Sequence, residues 1–132
     1  MNATAIKLDR PFAVQCLTHI LERTTKLIVT AGSGGKWGSI AMIDIRALPE
    51  ISKQFVEACG LQPRETDPLP TSLRAAVRQR RILGELHAAV SALLVGCARE
   101  SVAPETGDAF GAAHEIHSVH DIAVAFVASV GA

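Results

Sequence analysis

The sequence predicts an α+β fold, with helices packed on one face of a two-layer, mostly antiparallel β-sheet. The first observation is a glycine-rich loop at residues 31–39 with β-rich segments on both sides. Glycine supplies the positive φ that tight hairpin turns require. The second is a helical spacing of apolar residues over 86–97. The third is a C-terminal run in which Ile, Val and Phe mostly alternate. Together these patterns favour a sheet with at least one covering helix.

The strands are expected where β-branched and apolar residues are densest, at residues 12–21, 24–31, 36–45 and 121–130. Short turns between the first three indicate an antiparallel meander.

Two helices are expected. Residues 52–59 favour a short one, since Pro49 lies near its start and Gly60 just past its end. The apolar period favours a longer helix over residues 86–99. Pro-, Gly- and acid-rich composition predicts loops at residues 62–70 and 100–113.

The sequence of residues 73–83 is compatible with either a helix or a strand. Ala75 and Ala76 favour a helix that continues through Gly84. A glycine inside a helix costs about 1 kcal/mol, which favours instead a strand ending at Gly84.

The glycine-rich loop does not match the nucleotide-binding motifs. A Walker A loop needs a glycine separated by four residues from the Gly-Lys pair, and Ser or Thr after that pair. Those positions hold Thr30 and Trp37. The dinucleotide motif also requires glycine where Trp37 stands. The loop is therefore interpreted as a hairpin turn and not as a phosphate site.

Composition narrows the class of protein. The length of 132 residues suits one domain, and 13 basic and 13 acidic residues give a net charge of zero. A neutral chain has no general attraction to nucleic acid or anionic membranes, and neither is expected as a partner. Three widely spaced cysteines without a Cys-x-x-Cys pair suggest a reducing compartment, the cytoplasm or nucleus. No bilayer-spanning run or secretory signal is predicted.

A histidine cluster supports the alternative, a small metal- or cofactor-dependent enzyme. His114, His117 and His120 are spaced by three, and neutral imidazole suits zinc or copper. The zincin motif needs a spacing of four, however. The segment also lies between a predicted loop and a predicted strand, where this period would not gather the side chains. No metal and no cofactor are therefore expected.

Several short motifs occur in an order that resembles the proteasome assembly chaperone 3 family. They are Val-Gln-Cys at residues 14–16, Val-Thr at 29–30, Gly-Lys-Trp-Gly-Ser-Ile at 35–40 and Ile-Leu-Gly at 82–84. The resemblance implies a small antiparallel sheet with helices on one face. It also implies a non-enzymatic chaperone that binds α-type subunits of the 20S proteasome during assembly. Such a protein would act as a dimer with a related chaperone subunit, or as a homodimer when alone.

If that role applies, partner contact is expected at two places, since Trp and Arg are enriched at interface hot spots. The predicted contact residues are Lys36 and Trp37 at the hairpin tip and the basic run Arg74, Arg78, Arg80 and Arg81. Two simpler interpretations stay open: Trp37 as a packing anchor for its own hairpin, and the arginines as a solvated strand face.

Overall fold

The protein folds as a bundle of α-helices. The computed structural model describes residues 9–32, 37–65, 75–102 and 113–130. These residues form four helices: α1 (Arg10–Gly32), α2 (Ser39–Ala58), α3 (Ala75–Val102) and α4 (Ala113–Val130). The described ranges contain no strand. The predicted α+β fold with its antiparallel sheet is therefore wrong, and the fold is all-α.

The described residues of all four predicted strands are helical, apart from Trp37 and Gly38, which precede α2. Residues 12–21 and 24–31 lie in α1, residues 39–45 begin α2, and residues 121–130 lie in α4. The reason is visible in α1, whose buried positions recur at helical intervals: Ala13, Cys16, Leu17, Ile20, Thr24 and Leu27. The gain from burying this stripe outweighs the modest preference of β-branched residues for strands.

The glycine-rich segment joins two helices and not two strands. Gly38 is the N-cap residue of α2, with an extended backbone (φ −79°, ψ −177°). Residues 33–36 lie outside the described part. The predicted β-hairpin is thus replaced by an antiparallel pair of helices.

The residues predicted to be helical are helical except for Cys59, but both helices begin earlier than predicted, and Pro49 lies inside α2 and not near its start. Residues 52–58 close α2, and residues 86–99 lie in α3. Residues 73–83, for which both helix and strand were considered, are helical from Ala75 onward, and Gly84 lies inside α3. Residues 62–65 have no regular structure, as predicted, whereas residues 100–102 still belong to α3. The remaining loop residues, 66–70 and 103–112, lie outside the described ranges.

Each helix packs against two others, so the helices occupy the corners of a square. The contacting pairs are α1 with α2, α1 with α3, α3 with α4, and α2 with α4. Helices α2 and α3 are therefore diagonal and have no mutual contacts in the described part of the chain.

Neighbouring helices run antiparallel. The backbone N–H of Asp9 donates to the carbonyl of Ala58 at 2.6 Å, which joins the start of α1 to the end of α2. Near the other end, Gln79 Nε2 donates to the carbonyl of Ser129 at 2.9 Å, joining the start of α3 to the end of α4. Diagonal helices are then parallel, and the connection from α2 to α3 is a crossover.

The core is mainly aliphatic, with two phenylalanines, Phe55 and Phe126, among its largest fully buried side chains. Residues from all four helices contribute to one buried cluster. This shared core sets which side of each helix faces solvent.

Candidate interaction surface

The solvent-facing side of α3 carries a row of apolar residues, which is unusual for a surface helix, although Arg80, Arg81 and Glu85 are exposed in its first half. We call this side the α3 outer face; its members are exposed and lie opposite the buried positions of the helix: Val77, Arg81, Gly84, Ala88, Ala92 and Val95. Val77 and Val95 are each 51% exposed. The intervals of seven, four and seven between Val77, Gly84, Ala88 and Val95 align these residues along one side of the helix.

The opposite side of α3 is the one buried in the core, which is why the α3 outer face is exposed. Ile82, Leu83, Leu86, Val90 and Leu93 supply the buried stripe of this helix. Ala89, Leu94 and Cys97 are half-buried and pack against the same core. Val77, Ala88, Ala92 and Val95 lie on the other side of the helix and are exposed.

The segment Val77–Ala98 is long and apolar enough to cross a membrane, judged by length and composition. Only 28% of it is buried in the bundle. A helix this apolar is usually a well-buried core helix. The larger apolar residues of the segment mostly pack in the core, and the exceptions are Val77 and Val95, which are exposed.

Small residues dominate the middle of the α3 outer face. Gly84, Ala88 and Ala92 are exposed and spaced by four. A Cβ atom added at Gly84 would meet no atom within 4 Å. Helix axes pack 8–10 Å apart depending on the side chains at the contact, so small residues allow the closest approach.

The predicted basic run does not form one surface. Arg81 lies on the α3 outer face and pairs with Glu85 at 3.2 Å from Nε to Oε1. Arg80 is exposed, whereas Arg78 is half-buried and its Nε is buried without a hydrogen-bond partner. Arg74 lies outside the described residues. Because the segment is helical, successive arginines point in different directions, and the strand-face interpretation is wrong.

The side chain of Trp37 packs against other residues of the bundle. Its ring meets Phe126 of α4 edge-on, with centroids 5.5 Å apart and an interplanar angle of 86°. Its Nε1–H donates to the carbonyl of Leu27 at 3.4 Å. The indole thus joins the end of α1, the start of α2 and α4, which agrees with a packing anchor, although the predicted hairpin is absent. Lys36 lies outside the described residues.

The three clustered histidines all lie on α4, which continues through the residues where a strand was expected. His114 is exposed, while His117 and His120 are half-buried. Across the described ranges, no group of three or more His, Cys, Asp or Glu side chains is placed to hold a metal ion. The helix therefore aligns the histidines without supplying a metal centre there.

His120 lies where α4 packs against α2. Burial lowers the pKa of His120, and the charges of Lys53 and His117 act in the same direction. Asp121 and Glu50 oppose them. The neutral imidazole is consequently the favoured form in the folded protein.

An open groove of about 730 Å³ lies between the last turns of α1 and the start of α2. Its polar lining includes Lys26, Ser39 and Asp44. Asp44 is occupied by an ion pair with Arg23.

The α3 outer face was absent from the sequence-based site prediction, although a signal for it exists. Gly84, Ala88, Ala92 and Gly96 repeat every four residues, inside a segment whose larger apolar residues have a helical period of their own. Two apolar stripes on one helix indicate that two sides need partners.

Comparison with known proteins identifies no relative of this chain. No protein-family model matches the sequence, and no curated protein or solved structure matches it significantly. The motifs that resemble the proteasome chaperone family lie largely in α1, α2 and α3. Function must therefore be argued from the bundle itself.

Proposed function

We propose that this protein is a non-enzymatic interaction module that binds a protein helix through the α3 outer face. The observation that carries the proposal is the exposed apolar side of α3, from Val77 to Val95. Contiguous exposed apolar surface on a folded protein marks interaction sites. The first partner we propose is a second copy of the chain.

The symmetry of the face supports self-association. A two-fold interface uses the same patch on both subunits. Gly84, Ala88 and Ala92 are evenly spaced, so their arrangement is symmetric about Ala88. In an antiparallel pairing, each small residue of one copy would therefore lie opposite a small residue of the other. From Val77 to Val95 the face is about 27 Å long.

Charge favours the antiparallel orientation. Arg78, Arg80 and Arg81 lie near the start of α3, whereas residues 91–98 carry no charge. Parallel pairing would bring the two basic segments together. Antiparallel pairing separates them by most of the helix length, which removes the repulsion.

Binding to α-type proteasome subunits is a narrower version of this proposal. It rests on the sequence resemblance, and the strands which that resemblance implied are helices here. The bundle supports binding through a helix face and supplies no feature that selects this client.

The proposal is tested by measuring the molar mass of the purified protein by light scattering at micromolar concentrations. We expect a dimer. Ala88→Arg and Val95→Arg each place a charge on the α3 outer face and should yield monomers with unchanged helix content by circular dichroism. Ile43→Arg is the matched control, because Ile43 is 67% exposed on the outer side of α2.

Three results would overturn the proposal. They are a wild-type monomer throughout the concentration range, a dimer unaffected by both α3 substitutions, or a dimer lost equally in Ile43→Arg. Co-flotation of the wild type with phosphatidylcholine vesicles, abolished by Val95→Arg, would instead assign the face to a membrane.

A further inference from the structure

The open groove between the end of α1 and the start of α2 has the dimensions of a ligand site. Its volume of about 730 Å³ lies inside the range of small-molecule pockets, roughly 300–1,000 Å³. The residues that line it come from α1, from the N-cap of α2 and from the first turns of α2: Thr25, Lys26, Leu27, Val29, Gly38, Ser39, Ala41 and Asp44.

The walls of the groove are mainly apolar. Leu27 is buried, whereas Val29 is 71% exposed, the largest exposure among the big apolar side chains of the described residues. A compact apolar group in the groove would cover Val29, and removing apolar surface from water stabilises a complex.

The ion pair between Arg23 and Asp44 sets the register of α1 against α2 at this site. The two helices are antiparallel, so three residues further along α1 correspond to three residues back along α2. Lys26 is therefore level with Ala41, and both line the groove. This register places a cation beside the apolar wall.

The charged residues at the groove sum to one positive charge. Arg23 and Asp44 neutralise each other, and Lys26 is the further cation of the lining. A single carboxylate matches that charge. A phosphate monoester, with a charge of about −1.5 to −2 at neutral pH, exceeds it.

The start of α2 adds hydrogen-bond donors to the same groove. Its N-cap residue, Gly38, makes no side-chain cap hydrogen bond. The N–H of Met42 donates to the carbonyl of Gly38 at 3.0 Å. The earlier N–H groups, among them those of Ser39 and Ala41, have no acceptor within the helix, and they complement the charge of Lys26 toward an anion.

The extent of the groove limits the size of the ligand. From Gly38 to Asp44, α2 rises by about 9 Å, which suits a compact body and not an extended acyl chain. A Cβ atom added at Gly38 would meet no atom within 4 Å, so the space on this side is open.

We propose that this groove binds a small hydrophobic carboxylate, in which one or two apolar rings carry a single carboxylate group. The rings lie against Leu27, Val29 and Ala41, and the carboxylate accepts from Lys26 and the first turn of α2. The site is independent of the proposed self-association, because its described lining lies in residues 25–44 and not in α3.

The test titrates the full-length protein with 2-naphthoate, and with the uncharged 2-naphthamide for comparison, by isothermal titration calorimetry. We expect 2-naphthoate to bind at a single site with a Kd below about 1 mM, and 2-naphthamide to bind roughly tenfold more weakly. Lys26→Met should weaken 2-naphthoate to the level of 2-naphthamide and leave 2-naphthamide unchanged. Gly38→Leu fills the groove and should abolish binding of both probes.

Two controls separate the groove from other surfaces. Lys53→Met removes an exposed lysine nine residues beyond Asp44 on α2 and should bind both probes like the wild type. Val95→Arg alters the α3 outer face and should also leave both affinities unchanged. The extended backbone of Gly38 (φ −79°, ψ −177°) accepts a side chain, and circular dichroism checks that each variant folds.

Four results would overturn the inference. They are an absence of saturable 2-naphthoate binding in the millimolar range, equal affinities for the two probes, unchanged 2-naphthoate affinity in Lys26→Met, or loss of binding in Val95→Arg, which would place the ligand on the α3 outer face. If Gly38→Leu is unfolded, the comparison of the two probes in wild type and Lys26→Met decides the matter.

Discussion

Helices α2 and α3 run in the same direction at opposite corners of the bundle, yet their outward sides differ. The outward side of α2 carries the charged residues Arg46, Glu50, Lys53 and Glu57, all exposed. The outward side of α3 carries mainly valine, glycine and alanine. Their inward sides are alike, since each contributes several fully buried apolar residues.

The difference separates what folding requires from what function requires. Burying one apolar stripe is sufficient to hold a helix in a bundle, and α2 shows that pattern in complete form. The second apolar side of α3 contributes nothing to the described core. A single exposed residue such as Ile43 on α2 is ordinary, whereas a continuous exposed stripe indicates a partner.

The largest expected effect tests whether the buried sides of α2 and α3 contribute equally to the stability of the fold. Phe55→Ala in α2 and Leu86→Ala in α3 should each lower the free energy of unfolding by about 2–5 kcal/mol, because both side chains are fully buried. Urea denaturation measures the loss. The exposed Lys53→Ala control should change stability by less than about 0.5 kcal/mol. A loss below about 1 kcal/mol for Leu86→Ala alone would show that α3 is not an equal member of the bundle.

The next effect concerns the backbone of the α3 outer face. Gly84→Ala should raise the unfolding free energy by about 0.5–1 kcal/mol, since alanine favours helix and the added methyl meets open space. The matched reverse change, Ala88→Gly, should lower it by a similar amount. Both are best measured by urea denaturation in the Val95→Arg background, where association does not contribute. Destabilisation by Gly84→Ala would mean that this position is already covered.

The stability of the protein is expected to depend on pH through His120 at the contact between α2 and α4, and not through the α3 outer face. The folded protein has a lowered His120 pKa, so the unfolded chain binds more protons as pH falls through about 6.5. The stability contributed by neutral His120 is therefore complete above about pH 6.5. It decreases as the pH falls from there through the lower pKa of His120 in the folded protein. Thermal melts should show this loss in wild type and a smaller one in His120→Gln. The exposed His114→Gln control should retain the wild-type slope, and an equal slope in all three would contradict the assignment.

The smallest effect belongs to the ion pair on the α3 outer face. Arg81 and Glu85 are both largely exposed, and i,i+4 pairs of this kind contribute about 0.3–0.5 kcal/mol. A double-mutant cycle with Arg81→Ala and Glu85→Ala should give a coupling of that size, reduced by added salt. A coupling above about 1 kcal/mol would show that the pair is shielded from water by another chain.

Residues 52–58 were correctly predicted as helical from the glycine that follows them, and residues 86–99 from their apolar spacing, although Pro49, expected near a helix start, lies inside α2. The first thirty residues were not correctly predicted. Their Val, Ile and Thr residues suggested strands, although the spacing from Ala13 to Leu27 also fits a helix. The candidate site was missed for a related reason. Trp37 and the arginines were predicted as contact residues from their residue type. The α3 outer face can be recognised only when it is known which side of the helix is buried.

The sequence alone determined the aliphatic character of the core, the helical period of residues 86–97 and the irregular structure of residues 62–65. Tertiary structure decided the rest, because local preferences of tenths of a kcal/mol per residue are smaller than the 1.5–3 kcal/mol, roughly, gained by burying one large apolar side chain. Packing against α2 and α3 turned the β-rich segment of α1 into a helix. Tertiary packing also placed Trp37 on Phe126 and left the α3 outer face exposed. These outcomes depend on contacts between distant residues, which local sequence patterns do not encode.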